Sequence, residues 1–145
     1  MKFDDSAPRP TARTRIKICG LTREEDVDAA VAAGAEAVGF VLYAQSPRAV
    51  TPQRAAALAR RLPPFVTPVL LFVNESATNI IAAIHDIAGA TIQFHGDETP
   101  ADCLQASGQG ARPYLRAARI PLDAGAPAFD LVKYAHDYSN AQAIL

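Results

Sequence analysis

Within Lys17-Ile18-Cys19-Gly20-Leu21-Thr22-Arg23, a short apolar run ends at a glycine and gives way to an alanine-rich amphipathic segment. The pattern predicts a buried strand over Ile16–Cys19, a tight turn at Gly20 and a helix that begins near Glu24. Such a unit places the thiol of Cys19 at the carboxyl end of a strand, where ligands collect in α/β folds. Free cysteine is also commonly a small buried apolar residue, and position alone favours that interpretation.

The same strand-then-helix unit recurs along the chain. Strands are predicted at Ile16–Cys19, Ala37–Leu42, Pro68–Val73, Thr91–Phe94 and Tyr114–Ala118, and a sixth begins at Ala143. Helices are predicted between them at Asp26–Ala33, Arg54–Leu62, Ser76–Ala88, Thr99 to about Ala106, and Phe129–Asp137. Uniformly apolar strands separated by helices are typical of a parallel sheet that is covered on both faces.

Two α/β folds fit this alternation, an open doubly wound sheet and a closed eight-stranded barrel. Gly20 stands alone after the first strand, so the glycine-rich loop that binds dinucleotides is not indicated. A barrel of ordinary size needs roughly 200 residues or more. The 145-residue sequence reaches Leu145 just as a sixth strand begins, so a barrel is expected to be incomplete within it.

Composition and length narrow the class of protein. Fourteen basic residues nearly balance 15 acidic ones, and without a basic stripe nucleic acid is not expected as a partner. Apolar runs such as Val69–Val73 are far too short to span a membrane. Cys19 and Cys103 lack zinc-site spacing and fit a reducing cytoplasm, with neither a disulfide nor a metal. Residues 1–14 are predicted to form a flexible tail ahead of one domain at 15–145.

Two further loops bring polar side chains to the predicted carboxyl edge. Arg48 follows the second strand in the stretch Ser46-Pro47-Arg48, and its guanidinium suits a carboxylate or phosphate, although an exposed surface arginine is the commoner case. His95 lies just past the fourth strand and is interpreted first as a loop residue that caps or packs. Asp97 and Glu98 lie near the start of the fourth helix, where negative charge is favoured, and are interpreted as structural.

Four motifs carry a family resemblance: KICGLTREEDVDAA, GFVLYAQSPRAV, LLFVN and QFHGDE, in this order. Together they resemble the phosphoribosylanthranilate isomerases of tryptophan biosynthesis, from about Arg15 onward. The resemblance implies a (β/α)8 TIM barrel, incomplete here, with about five βα units and the start of strand six. It also implies a cofactor-free Amadori rearrangement of N-(5-phosphoribosyl)anthranilate to 1-(2-carboxyphenylamino)-1-deoxyribulose 5-phosphate.

The resemblance also implies roles for particular residues. Cys19 matches the base that removes the C2 proton, and Arg48 matches the residue that holds the anthranilate carboxylate. Gln93 and His95, in the QFHGDE motif, are candidate substrate-binding residues at the same edge. The family's acid, an aspartate at the end of strand six, would fall just past Leu145. The phosphate-binding loops after strands seven and eight would also lie outside this sequence.

Two hypotheses from different classes follow. The preferred one is an isomerase that acts on a small phosphosugar-anthranilate in the cytoplasm, with the isolated 145-residue chain inactive because it lacks the acid. The alternative is a non-catalytic partial-barrel module for binding or assembly, whose open strand edges pair with another chain. Self-association through those edges is possible under either hypothesis. Reading the coding DNA past the codon for Leu145 would discriminate between them.

Overall fold

The computed structural model describes residues 13–123, 125 and 128–145. These contain the strands β1 (Lys17–Cys19), β2 (Ala37–Val41), β3 (Thr67–Phe72), β4 (Thr91–Phe94), β5 (Tyr114–Arg116) and β6 (Ala143–Ile144). The helices are α1 (Glu24–Ala32), α2 (Pro52–Ala59), α3 (Ala77–His85), α4 (Pro100–Ala106) and α5 (Leu131–Asp137). Every predicted strand and helix is found in order, with boundaries that differ by a few residues. Of the predicted tail, residues 1–12 lie outside the described residues, while Arg13 forms an ion pair with Glu36.

The strands form one parallel sheet in the order β1-β2-β3-β4-β5-β6. Each strand pairs with its neighbour in sequence, and all five pairings are parallel. A doubly wound sheet reverses its strand order at a switch point, and this sheet does not. The parallel α/β arrangement is therefore confirmed, and its consecutive winding differs from the doubly wound alternative.

Alternation along the strands divides the sheet into two faces. The helix-covered face carries the apolar core, which includes Val38, Phe40, Leu70, Phe72, Ile92, Phe94 and Tyr114. The opposite face, called the inner face here, carries Lys17 and Cys19 of β1, the Cys19 register partner Gly39, and, two residues further along the strands, the paired residues Leu71 and Gln93. The inner face thus holds most of the polar candidates from the sequence, while the other face supplies the hydrophobic stabilisation.

Side-chain caps begin four of the described helices at the carboxyl edge of the sheet. Thr51 and Thr99 accept from the backbone N–H groups of the third residue that follows each, and a proline comes directly after each cap. Ser76 caps α3 and Asp130 caps α5 through a hydrogen bond of the same kind. Both Thr-Pro starts were predicted from the sequence and are confirmed, because a capping hydroxyl and a proline at the first helical position each favour a helix start.

Exposed apolar side chains gather at the two outer strands of the described sheet. Ile16, just before β1, and Ile18, within it, are both exposed. At the other side, α5 buries none of its residues, and the exposed set there is Ile120, Leu122, Leu131, Val132 and Leu145. The central strands β2 to β4 are buried on both faces, so the sheet is well covered in its middle and open at its sides. No helix in the described residues is long and apolar enough to cross a membrane.

Candidate active site

Cys19 lies at the carboxyl end of β1 as a half-buried free thiol on the inner face. Its register partner on β2 is Gly39. A Cβ atom at Gly39 would lie 2.8 Å from Cys19 Sγ and 3.2 Å from Lys17 Nζ. The absence of a side chain at Gly39 therefore makes the space that the thiol and the ammonium share.

Arg48 reaches the same point from the loop after β2. Its Nη1 donates to the backbone oxygen of Cys19 at 3.0 Å, and its backbone N–H donates to Ser46 Oγ at 3.1 Å. The guanidinium packs over Gly20, which has a φ of +85° and whose Cβ would lie 2.5 Å from Arg48 Nη1. Glycine at this turn thus permits both the left-handed backbone and the close approach of the arginine. Lys17, Cys19 and Arg48 are called the open cluster below.

Gln93 and His95 stand on the same face and edge, at the end of β4. Gln93 is only 3% exposed, and its Nε2 lies 3.3 Å from His95 Nδ1. Within the described residues, Gln93 Oε1 has no hydrogen-bond partner. Partial burial of the His95 ring, followed by the charges of Arg119 and Arg116, holds its pKa below the usual value, although much of the side chain remains exposed. The imidazole is therefore neutral at pH 7 and can accept or donate a hydrogen bond.

The sequence did not reveal the role of a buried ion pair at this edge. Arg116 Nη1 lies 3.1 Å from Glu98 Oε2, with both side chains about 95% buried on the helix-covered side. Gly96, Glu98 and Arg116 are called the buried cluster below. Glu98 was interpreted as structural, and the structure adds this ion pair, which the interpretation had not included. An arginine inside the apolar run Tyr114–Ala118 was the available signal, because a charge in a buried strand requires a partner.

The two cysteines of the chain have contrasting surroundings. Cys103 lies on α4 and is fully buried, and desolvation raises the pKa of its thiol to about 12. Cys19 is the more accessible of the two and lies next to two cationic side chains. Across the described part of the chain, no group of three or more His, Cys, Asp or Glu residues could hold a metal ion.

A large surface groove is lined by none of the candidate site residues. It encloses about 610 Å³ between the β2–α2 loop and α3, and its lining includes Tyr43, Phe72, Glu75 and Asp86. The two carboxylates make this groove a poor site for an anionic ligand. The inner-face edge, with Lys17 and Arg48, has the charge that an anion requires.

Comparisons with known proteins agree on one family. The family model described as "N-(5'phosphoribosyl)anthranilate (PRA) isomerase" matches residues 16–142. The N-(5'-phosphoribosyl)anthranilate isomerase of Methylibium petroleiphilum is 63% identical over 133 residues, which are 92% of this chain and 58% of that protein. The protein of the same name from Leptothrix cholodnii is 60% identical over 134 residues, covering 92% and 57% respectively. The chain thus spans a little under three fifths of the length of these relatives.

Solved structures give the same result. The crystal structure of phosphoribosyl anthranilate isomerase from Thermus thermophilus superposes with a TM-score of 0.75 at 34% identity, covering 90% of this chain and 60% of that one. A second isomerase structure contains reduced 1-(o-carboxyphenylamino)-1-deoxyribulose 5-phosphate. It superposes with a TM-score of 0.71 at 35% identity, covering 75% of this chain and 55% of that one.

Proposed function

The chain belongs to the N-(5'-phosphoribosyl)anthranilate isomerase family, and on that premise we propose that its residues perform the C2 proton transfer of an Amadori rearrangement in tryptophan biosynthesis. The substrate is N-(5-phosphoribosyl)anthranilate, and the product is 1-(2-carboxyphenylamino)-1-deoxyribulose 5-phosphate. One observation carries the proposal: the Arg48 guanidinium donates a hydrogen bond to the backbone oxygen of Cys19. This hydrogen bond places a group that can bind an anion beside the residue that carries the thiol.

Cys19 is the general base in this proposal. After the sugar ring has opened to a protonated Schiff base at C1, the thiolate removes the proton on C2. The electron pair of that C–H bond forms the C1=C2 double bond and neutralises the iminium nitrogen, which yields an enolamine. Loss of the proton on O2 and protonation at C1 then give the ketone. The sequence of steps redistributes protons within one molecule, so it requires no external oxidant or reductant.

Arg48 binds the anthranilate carboxylate in this proposal. A guanidinium presents parallel N–H donors that match the two oxygens of a carboxylate. Within the described part of the chain Arg48 has no carboxylate partner, and its recorded side-chain bond is the one to the Cys19 oxygen. Several of its donors are therefore available to a ligand, and the bond to β1 fixes where they point.

Gln93 and His95 bind the sugar in this proposal. The buried Oε1 of Gln93 has no partner among the described residues, and a ribose hydroxyl could donate to it. The neutral His95 ring can accept or donate a hydrogen bond beside it. The open cluster lies at the carboxyl ends of β1 and β2, and Gln93 and His95 lie at the carboxyl end of β4.

We further propose that the six strands belong to a (β/α)8 barrel, of which this sequence contributes about five βα units and the start of strand six. Their consecutive parallel order supports this, as do the exposed apolar side chains at both outer strands, which further βα units would cover. Without such units the outer strands are sites for self-association. The free thiols of Cys19 and Cys103 agree with a cytoplasmic enzyme.

The two cysteines provide a matched test of the base, carried out in the protein expressed from its complete gene. Cys19→Ala should lower kcat by roughly 10²- to 10⁴-fold, the usual contribution of a general base, while substrate binding changes little. Cys103→Ala removes a fully buried thiol on the other face and should leave kcat near the wild-type value. Wild-type turnover in Cys19→Ala would overturn the assignment.

A further inference from the structure

The Glu98 carboxylate joins backbone groups of two neighbouring loops to a third strand. Its Oε1 accepts from the N–H of Asn74, in the loop after β3, at 2.7 Å. Its Oε2 accepts from the N–H of Gly96, in the loop after β4, at 2.9 Å and from Arg116 Nη1 of β5 at 3.1 Å. A single side chain therefore fixes the ends of three consecutive strands relative to one another.

Arg116 adds further hydrogen bonds to the end of β4 and to the loop that follows it. Nη1 also donates to the backbone oxygen of Phe94 at 3.1 Å, and Nη2 donates to that of Gly96 at 2.9 Å. The guanidinium lies 4.9 Å from the ring centroid of Tyr138, whose hydroxyl donates to the backbone oxygen of Glu98 at 2.7 Å. Helix α5 is thus linked to the same loop through the tyrosine that follows it.

The two loops also interlock directly. Asn74 has a φ of +51°, and its Oδ1 accepts from the N–H of Asp97 at 2.6 Å. A Cβ at Gly96 would lie 2.8 Å from the backbone nitrogen of Asn74, so only glycine fits there. His95 comes directly before Gly96, and its own N–H donates to the oxygen of Phe72 at 2.9 Å. The backbone on both sides of the His95 ring is therefore fixed.

A buried ion pair is not in itself a source of stability, because apolar residues of similar volume often stabilise a core equally well. Apolar side chains could not accept from the N–H groups of Asn74 and Gly96, however, and those donors would be left without partners. The pair therefore has a geometric consequence that a hydrophobic replacement would lack.

We infer that Glu98, held by Arg116, is a positioning residue that sets the place of His95 at the inner-face edge. The inference rests on the proposed function for its kinetic consequence, but not for its geometry. Neither member of the pair reaches the inner face, since Arg116 lies on the helix-covered side of β5. Both act on the site from outside it, through the loop that carries His95 and through their charges, which bear on the pKa of its ring.

The test compares Glu98→Gln with Ile84→Val in the protein expressed from its complete gene. Glutamine keeps the shape of Glu98 but directs its NH₂ group towards one of the backbone N–H donors that the carboxylate accepts from. Ile84 is a fully buried core residue near the carboxyl end of α3, away from the loop after β3. At a temperature where both variants are folded, Glu98→Gln should lower kcat/KM by about tenfold to a hundredfold, as expected for a misplaced site residue. Ile84→Val should keep the wild-type kcat/KM.

A second readout does not depend on turnover. The ring signals of His95 in NMR spectra should shift in Glu98→Gln and remain in place in Ile84→Val. If Glu98→Gln does not fold, Arg116→Lys keeps a positive charge opposite Glu98, loses the guanidinium bonds to the backbone oxygens of Phe94 and Gly96, and should shift the same signals. Unchanged His95 signals in the folded variants would overturn the inference. Shifted signals in a protein without isomerase activity would sustain the positioning role and count against the proposed function instead.

Discussion

The open cluster and the buried cluster lie at the same edge of the sheet and use their positive charges in opposite ways. Arg116 is about 95% buried, and its two terminal nitrogens bond to Glu98 and to two backbone oxygens. Arg48 is exposed, and its described side-chain bond is the one to the oxygen of Cys19. A guanidinium whose terminal nitrogens all bond the protein fixes structure, whereas one with unused donors can bind a ligand. The difference identifies which arginine belongs to the scaffold and which to the site.

Substituting each arginine by methionine should separate the two clusters most strongly. Arg116→Met leaves Glu98 buried and unpaired, and the free energy of unfolding should fall by about 3–5 kcal/mol. Arg48→Met removes an exposed charge, and that free energy should change by no more than about 0.5 kcal/mol. Urea denaturation of the two variants measures both values. Equal losses in the two would contradict the division into scaffold and site.

Substitution of Arg48, which should change the free energy of unfolding least, should have a large effect on ligand affinity. Arg48→Ala should weaken binding of the reduced aminoketose product analogue by about 1.5–3 kcal/mol, the usual value of a hydrogen bond to a charged group. Arg48→Lys should recover only part of the loss, because an ammonium lacks the planar pair of donors. Titration calorimetry measures the dissociation constants. Wild-type affinity in Arg48→Ala would exclude this residue from the site.

Gly39 tests how closely the open cluster is packed. A methyl group there would contact both Cys19 Sγ and Lys17 Nζ, so Gly39→Ala should destabilise the fold by about 1–3 kcal/mol through overpacking and also lower kcat. Gly125→Ala is the matched control, because its Cβ would meet nothing within 4 Å. Thermal unfolding and steady-state kinetics report the two effects. A harmless Gly39→Ala would show that the thiol has room to move.

The smallest expected effect is a pH dependence at His95. Its pKa in the folded protein lies below the usual 6.5, so the unfolded chain binds a proton more readily at mildly acidic pH. The stability that the neutral ring contributes is thus present above pH 6.5 and declines as the pH falls through the folded pKa. NMR titration should place the His95 midpoint below 6.5, and His95→Gln should reduce the slope of stability below that pH. A His95 midpoint above 6.5 would contradict the assignment.

Local pattern was sufficient for much of the fold and for part of the site. The apolar runs predicted every strand, and the Thr-Pro pairs at Thr51 and Thr99 predicted two helix starts, because both signals act over a few residues. Cys19 and Arg48 were placed at one edge because parallel strands present their carboxyl ends together. That reasoning requires only the strand order.

The buried cluster could not be derived in the same way. Glu98 and Arg116 are 18 residues apart and meet only because β4 and β5 are neighbours in register. The sequence shows a charge in an apolar run but does not say which acid compensates it. The packing of Cys19 and Lys17 over Gly39 likewise depends on the register of β1 with β2, which hydrophobicity alone does not determine.

A crystal structure with the reduced aminoketose bound would show whether the open cluster is the substrate site. We expect the anthranilate carboxylate to accept hydrogen bonds from the Arg48 guanidinium and the sugar carbon C2 to lie beside Cys19 Sγ on the inner face. Binding of the analogue in the groove between the β2–α2 loop and α3, or at the inner face without contact to Arg48 and Cys19, would contradict this expectation.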